Sequence, residues 1–148
     1  MHIARIETRS LDETAEAVDL GQSAAEIVFL SFTDSDLAAF AGAYERLSEP
    51  RPSLRLANLA ALKHPYSVDL YLEKVCSGAR SVLVRLLGGA DYWRYGVEEL
   101  AALARARGIA LAFLPGDRFE DSRLASASTL SADSLLSLIH ISEPTRPY

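Results

Sequence analysis

The residues best suited to chemistry lie in a few short strings. Leu62-Lys63-His64-Pro65-Tyr66-Ser67-Val68-Asp69 holds an imidazole with a carboxylate five residues on. An imidazole can ligate a metal or shuttle protons near neutral pH, and Asp69 is near enough in sequence to orient it. An equal reading is that His64 only caps the helix that follows. Asn58 offers an amide at the end of an apolar run. Gly88-Gly89 could bring backbone N–H groups close to an anion, or could simply make a tight turn. Tyr92, Trp93 and Tyr95 cluster just beyond it. Tyr92 and Tyr95 could stack on a flat ligand, or could pack in an interface.

Other chemistry finds less support. Asp34 and Asp36 could bind a divalent cation, but acidic residues before a helix commonly cap it and match its dipole. Cys76 is the single cysteine. It cannot form an internal disulfide, which suits a reducing compartment, and its apolar neighbours favour simple packing. The three histidines, His2, His64 and His140, are scattered, so zinc ligation is not expected. No nucleophile, base and orienting group come together in the sequence. Neither a G-x-G-x-x-G string nor a G-x-x-x-x-G-K-[ST] string is present.

The elements that must position these residues are legible from periodicity. Ile27–Leu30, Ser53–Ala57, Val82–Leu86 and Ile109–Leu114 are short apolar runs and are predicted as strands. Between them lie helical patterns. Leu37, Phe40, Ala41, Tyr44 and Leu47 share one helix face, after cap-type residues 33–36. Val68, Leu72, Val75, Cys76 and Ala79 mark a second helix, broken at Gly78. Asp91–Arg107 is a third, with Trp93, Val97, Leu100, Ala101 and Ala104 on its core face and Gly108 after its end. Residues 58–64 are ambiguous, and Pro65 stops any helix there. Ile3–Ile6 is a possible short strand, and residues 115–117 a turn.

The order β-α-β-α-β-α-β predicts an α/β fold: a parallel sheet of about four strands with helices on both faces, of the flavodoxin or Rossmann kind. In such sheets ligands bind beyond the carboxyl ends of the strands. His64, Asn58, Gly88, Gly89 and Tyr92 all fall there, and they are the candidate binding residues.

Length and charge bound the rest. The chain has 148 residues, 49% of them hydrophobic and 24% charged, which suits one globular domain. The formal charge of −5 disfavours nucleic acid, since phosphate backbones need a basic surface. No apolar run approaches the ~20 residues of a membrane helix, and no signal-peptide core is present, so a cytoplasmic protein is expected.

Four groups of strings in series resemble one family. Glu16–Ser23 leads into Ile27–Leu37. Leu54–Leu59 precedes Leu62–Tyr71. Arg85–Gly96 and Leu114–Asp117 follow. Together, from Met1 to about Ser128, they resemble the N-terminal part of the large subunit of aerobic cobaltochelatase. The magnesium chelatase large subunit is the related alternative, and Lys63-His64-Pro65 favours the cobalt enzyme.

The resemblance implies a much longer subunit that binds hydrogenobyrinic acid a,c-diamide and receives cobalt(II) as a substrate. It also implies an AAA+ ATPase subunit and a third chelatase subunit as partners, with ATP and Mg²⁺ used in the whole complex. A fragment of this kind would depend on the remainder of the large subunit and would not be catalytic alone. No bound cofactor is expected in it. A stand-alone α/β binding module is the competing reading.

The division expected is an α/β head over 1–121, a linker or start of a further segment over 122–135, and a tail over 136–148. Leu136–Arg146 matches the forward translation of a transposase-type sequencing adapter. The tail is therefore expected to be non-native and disordered, and His140 is not a ligand candidate.

Overall fold

Four strands hydrogen-bond in the order β2-β1-β3-β4, every pair parallel, in a computed structural model of the chain. The structure describes residues 17, 19–115 and 122–129. The expectations for Ile3–Ile6, residues 116–117 and the tail 136–148 lie outside them.

The strands are β1 (Ile27–Ser31), β2 (Leu54–Asn58), β3 (Ser81–Leu86) and β4 (Ala110–Pro115). The helices are α1 (Asp34–Glu45), α2 (Pro65–Lys74), α3 (Arg94–Arg107) and α4 (Ser122–Ala127). The predicted alternation of strand and helix is thus present. The order 2-1-3-4 is that of the flavodoxin-like doubly wound sheet.

Alternation along β1 shows the two faces. Val28 and Leu30 are fully buried in the main core with Val68 and Leu72 of α2 and Val97 and Leu100 of α3. Phe29 points the other way and stacks on Phe40 of α1, ring centroids 4.4 Å apart and nearly parallel. Helices therefore lie on both faces, unequally. No residue of α1 is fully buried, and Leu47, read as part of its apolar face, is 51% exposed.

Local chemistry sets the element ends. Thr33 caps α1, its hydroxyl accepting from Asp36 N at 3.3 Å, so Asp34 and Asp36 occupy the first turn, where a negative charge suits the dipole. Residues 58–64, ambiguous in sequence, form a 3₁₀ turn (Leu59–Leu62) that buries Leu59 and Leu62. Pro65 begins α2, contrary to its reading as a stop alone: proline lacks an N–H that the first helical turn does not need. The second helix is shorter than its pattern, because Cys76–Gly78 tighten into a separate 3₁₀ turn. The third is preceded by a 3₁₀ turn (Ala90–Trp93), and Gly108 closes it in the left-handed conformation at φ 71°.

Residues 122–129, placed outside the head in the sequence reading, pack on the sheet. Leu124 enters the main core. Thr129 N donates to Leu111 O at 2.9 Å, and Thr129 Oγ1 accepts from Leu111 N at 2.7 Å. Ser128 Oγ accepts from Phe113 N at 2.9 Å. This short stretch thereby satisfies outward backbone groups of the edge strand β4.

Candidate functional site

One rung of the sheet organises the carboxyl edge. Asn58, Ser31, Arg85 and Leu114 are in register across β2, β1, β3 and β4. The helices after β1 and β3 leave on opposite faces, so the crevice between these strands is the topological switch point.

The polar members of this rung hold the β1–α1 loop. Ser31 is fully buried, and its hydroxyl donates to Asp36 Oδ2 at 2.8 Å and accepts from Thr33 N at 3.2 Å. Arg85 Nη1 stands 3.8 Å from Asp36 Oδ1. Asn58 works in three directions: its amide nitrogen donates to Phe32 O at 3.3 Å and to Asp34 Oδ1 at 3.0 Å, while its oxygen accepts from Ala60 N at 2.8 Å. Asn58 therefore pins two loops and starts the 3₁₀ turn. Asp34 and Asp36 are engaged by these partners, and no group of three or more His, Cys, Asp or Glu suited to a metal ion occurs among the described residues.

Gly88 and Gly89 shape the third loop. Gly89 has φ 79° and ψ −172°, a conformation open essentially to glycine. A Cβ on Gly88 would lie 2.6 Å from the Tyr92 ring. The missing side chain is thus what lets Tyr92 fold back over the loop. Tyr92 is 59% exposed and meets Phe32 edge to face, centroids 5.3 Å apart. The aromatic pair spans the switch-point crevice from the β1 loop to the β3 loop. Lys63 places its ammonium 5.9 Å from the Phe32 ring centre.

Beside this pair Trp93 turns inward. It is 5% exposed, and its Nε1 donates to Leu62 O at 2.8 Å. The expected split between a buried Trp93 and an outward Tyr92 holds.

Of the two readings of His64, the helix cap is present and the pairing with Asp69 is not. His64 Nδ1 accepts from Tyr66 N at 3.0 Å and so caps α2. Asp69 instead accepts from the Tyr95 hydroxyl at 2.8 Å, across to α3. That hydrogen bond is the main reason the Tyr95 hydroxyl is pushed up to about 12. The competition was decided by helix geometry: a residue at the cap position faces the first free N–H groups, and Asp69 lies a full turn inside the helix. Cys76 is fully buried, and loss of solvent pushes its thiol up to about 12, so it is not a nucleophile at neutral pH.

Of the five candidates, Asn58, Gly88, Gly89 and Tyr92 thus border the switch-point crevice. His64 adjoins it through its neighbours Leu62 and Lys63. Phe32, Lys63, Arg85 and Ser31 were not among the candidate binding residues. Their common signal is position within two or three residues of a strand's carboxyl end or of the turn that follows.

A sheet of order 2-1-3-4 whose amide, glycine turn and aromatic pair gather at the carboxyl edge defines a doubly wound α/β protein. No family model matches the chain. Two curated proteins do, both named aerobic cobaltochelatase subunit CobN. The one from a Sinorhizobium species is 42% identical over 133 residues, which is 90% of this chain and 10% of that protein. The one from Pseudomonas aeruginosa is 44% identical over 133 residues, 90% of this chain and 11% of that protein. The solved catalytic subunit of cobaltochelatase from Mycobacterium tuberculosis shares the fold, with a TM-score of 0.55 and 24% identity, over 74% of this chain and 8% of that one. Over most of its length the chain is therefore similar to the aerobic cobaltochelatase subunit CobN, and the resemblance read from its sequence holds. It spans about a tenth of the length of those relatives.

Proposed function

We propose that this chain is a head segment of the large, tetrapyrrole-binding subunit of an aerobic cobaltochelatase. The whole enzyme would insert cobalt(II), its metal substrate, into hydrogenobyrinic acid a,c-diamide on the way to cobalamin. The observation that carries the reading is the 42–44% identity to two CobN subunits over 90% of the chain. At that level a shared fold and a shared place in the subunit are the expected outcome.

Within the subunit, the head braces the main body and closes over the macrocycle with its carboxyl edge. Asn58, Gly88, Gly89, Tyr92 and His64 supply the contacts. A corrin presents carboxylates and amides around an apolar ring, so amide, backbone N–H and aromatic faces are suitable partners. The chain has no G-x-x-x-x-G-K-[ST] string, so ATP with Mg²⁺ would be used by an AAA+ partner subunit, with a third chelatase subunit completing the complex. Insertion itself belongs to the rest of the large subunit, and the segment alone is inactive. The division into a head, a following segment from 122 whose first residues pack back on the sheet, and a non-native stretch over 136–148 is part of the same reading. No described helix is long and apolar enough to cross a membrane, which is compatible with work in the cytoplasm.

Titration of the 148-residue chain with hydrogenobyrinic acid a,c-diamide, followed by tryptophan and tyrosine fluorescence, tests direct contact. A saturable change is expected below millimolar ligand. A flat signal up to that concentration would remove the contact role and leave only the bracing one.

A further inference from the structure

We propose that Phe32, Tyr92 and Lys63 form one subsite, an aromatic shelf with a cationic rim, that takes the edge of a flat apolar ring at a point where it carries a carboxylate. The inference rests on the reading of this edge as facing the macrocycle.

Three features combine. Tyr92 keeps 59% of its surface exposed although it is a large aromatic residue in a short, well-anchored turn. The turn is fixed on one side by Gly89 and on the other by Trp93 bonded to Leu62 O. The ring therefore stays outward because the backbone holds it there. Phe32 supports it edge-on at 5.3 Å, and Gly88 removes the side chain that would displace it. A preset aromatic face costs little ordering when a flat ligand lands on it.

Lys63 supplies the charge. It is exposed, its ammonium lies 5.9 Å from the Phe32 ring centre, and no salt bridge to it occurs among the described residues. Two carboxylates of the same edge face other cations, Asp36 that of Arg85 at 3.8 Å and Asp91 that of Arg94 at 3.5 Å, while Asp34 is held by the neutral amide of Asn58. The ammonium is thus the group of this neighbourhood placed to meet an incoming carboxylate, 5.9 Å from the shelf on which the ring would lie. A ring bearing only amides at that edge would gain the shelf and lose the ion pair.

The test uses the 148-residue chain with two macrocycles: hydrogenobyrinic acid a,c-diamide, and the same ring with its remaining carboxylates converted to amides. Lys63→Met is expected to weaken binding of the acid about two- to fivefold, within the range of an exposed ion pair, and to leave the amide unchanged. Lys63→Arg should restore the acid's affinity. Tyr92→Ala should weaken both rings by about tenfold through lost stacking, with an unchanged urea midpoint confirming the fold. Equal affinity of Lys63→Met and the parent chain for the acid overturns the carboxylate role while contact with the macrocycle stands. Undiminished binding by Tyr92→Ala overturns the shelf. Absence of binding to either ring overturns this subsite together with the contact role on which it rests.

Discussion

The indole N–H of Trp93 donates to the main-chain oxygen of Leu62 at 2.8 Å, joining the turn after β3 to the turn after β2 across 31 residues of sequence. It ties together the two loops that flank the β1 loop. The bond is buried, and Trp93 covers Gly96, where a Cβ would fall 2.0 Å from the ring. The aromatic group thus sits in a slot made by the first turn of α3.

Trp93→Phe keeps most of the apolar contact and strands the Leu62 oxygen. A loss of about 1–3 kcal/mol is expected, the range for a buried polar group left without its partner. Urea unfolding followed by circular dichroism measures it. A change under ~0.5 kcal/mol would mean that the hydrogen bond adds nothing beyond packing.

Two glycine substitutions should act in opposite directions. Gly96→Ala drives a methyl into the Trp93 ring and should cost about 1–3 kcal/mol, as overpacked cores do. Gly42 lies inside α1, and its added Cβ would meet only the Arg46 side chain at 3.8 Å. Gly42→Ala should therefore raise stability by about 0.5–1 kcal/mol, by restricting the unfolded chain and improving helix propensity. Thermal midpoints of the two variants against the parent decide both.

The double glycine can be separated into its two roles. Gly89→Ala forces an L residue to φ 79° and should cost about 1–3 kcal/mol. Gly88→Ala faces a clash with the Tyr92 ring, which is exposed and can swing away. Its stability should change less, while the near-ultraviolet circular dichroism of the Phe32–Tyr92 pair changes. The same loss of stability in both variants would contradict this division.

Alkaline pH should weaken the fold through Cys76. Its thiol is pushed from 9.0 up to about 12 by burial in the folded chain. The folded state thus holds the proton more tightly than the unfolded one. The contribution is complete below pH ~9 and is lost as pH rises towards about 12. Tyr71, raised by burial, and Tyr95, raised mainly by its hydrogen bond to Asp69, act in the same direction from pH ~10 upward. Cys76→Ala should flatten the decline between pH 9 and 10, read from urea midpoints at each pH. In the parent chain at pH 8, a thiol reagent should react no faster than the protein opens.

The strands were legible because each is a short apolar run between turn residues, and such runs become a parallel sheet when helical patterns separate them. Ile27–Ser31 and Ser81–Leu86 came out within a residue or two of expectation. The turns were less legible for local reasons. Leu59–Leu62 has no periodicity that distinguishes a 3₁₀ turn from a helix or a strand, and Pro65 is compatible with both an end and a beginning. The site was legible only as far as the strand ends. Asn58, the glycines and Tyr92 could be located from those ends alone. The meeting of Phe32 with Tyr92, and of Lys63 with Phe32, depends on β1 lying between β2 and β3. Residue spacing does not give that order. Likewise, Asp69 found Tyr95 rather than His64 because α2 and α3 pack side by side.

The closure of β4 by Ser128 and Thr129 bears on how this piece can be handled and assembled. A parallel strand at a margin is an invitation to polymerise, since any extended peptide can dock on its free amides. Here the two hydroxyl side chains act as a clasp over Ile109–Phe113, so lateral recruitment of a second copy along that margin is blocked. Trimming the polypeptide back to residue 121 would undo the clasp and also remove Leu124 from the interior. Versions cut at residue 121 should therefore form fibres or precipitate where one that extends through Thr129 stays dispersed.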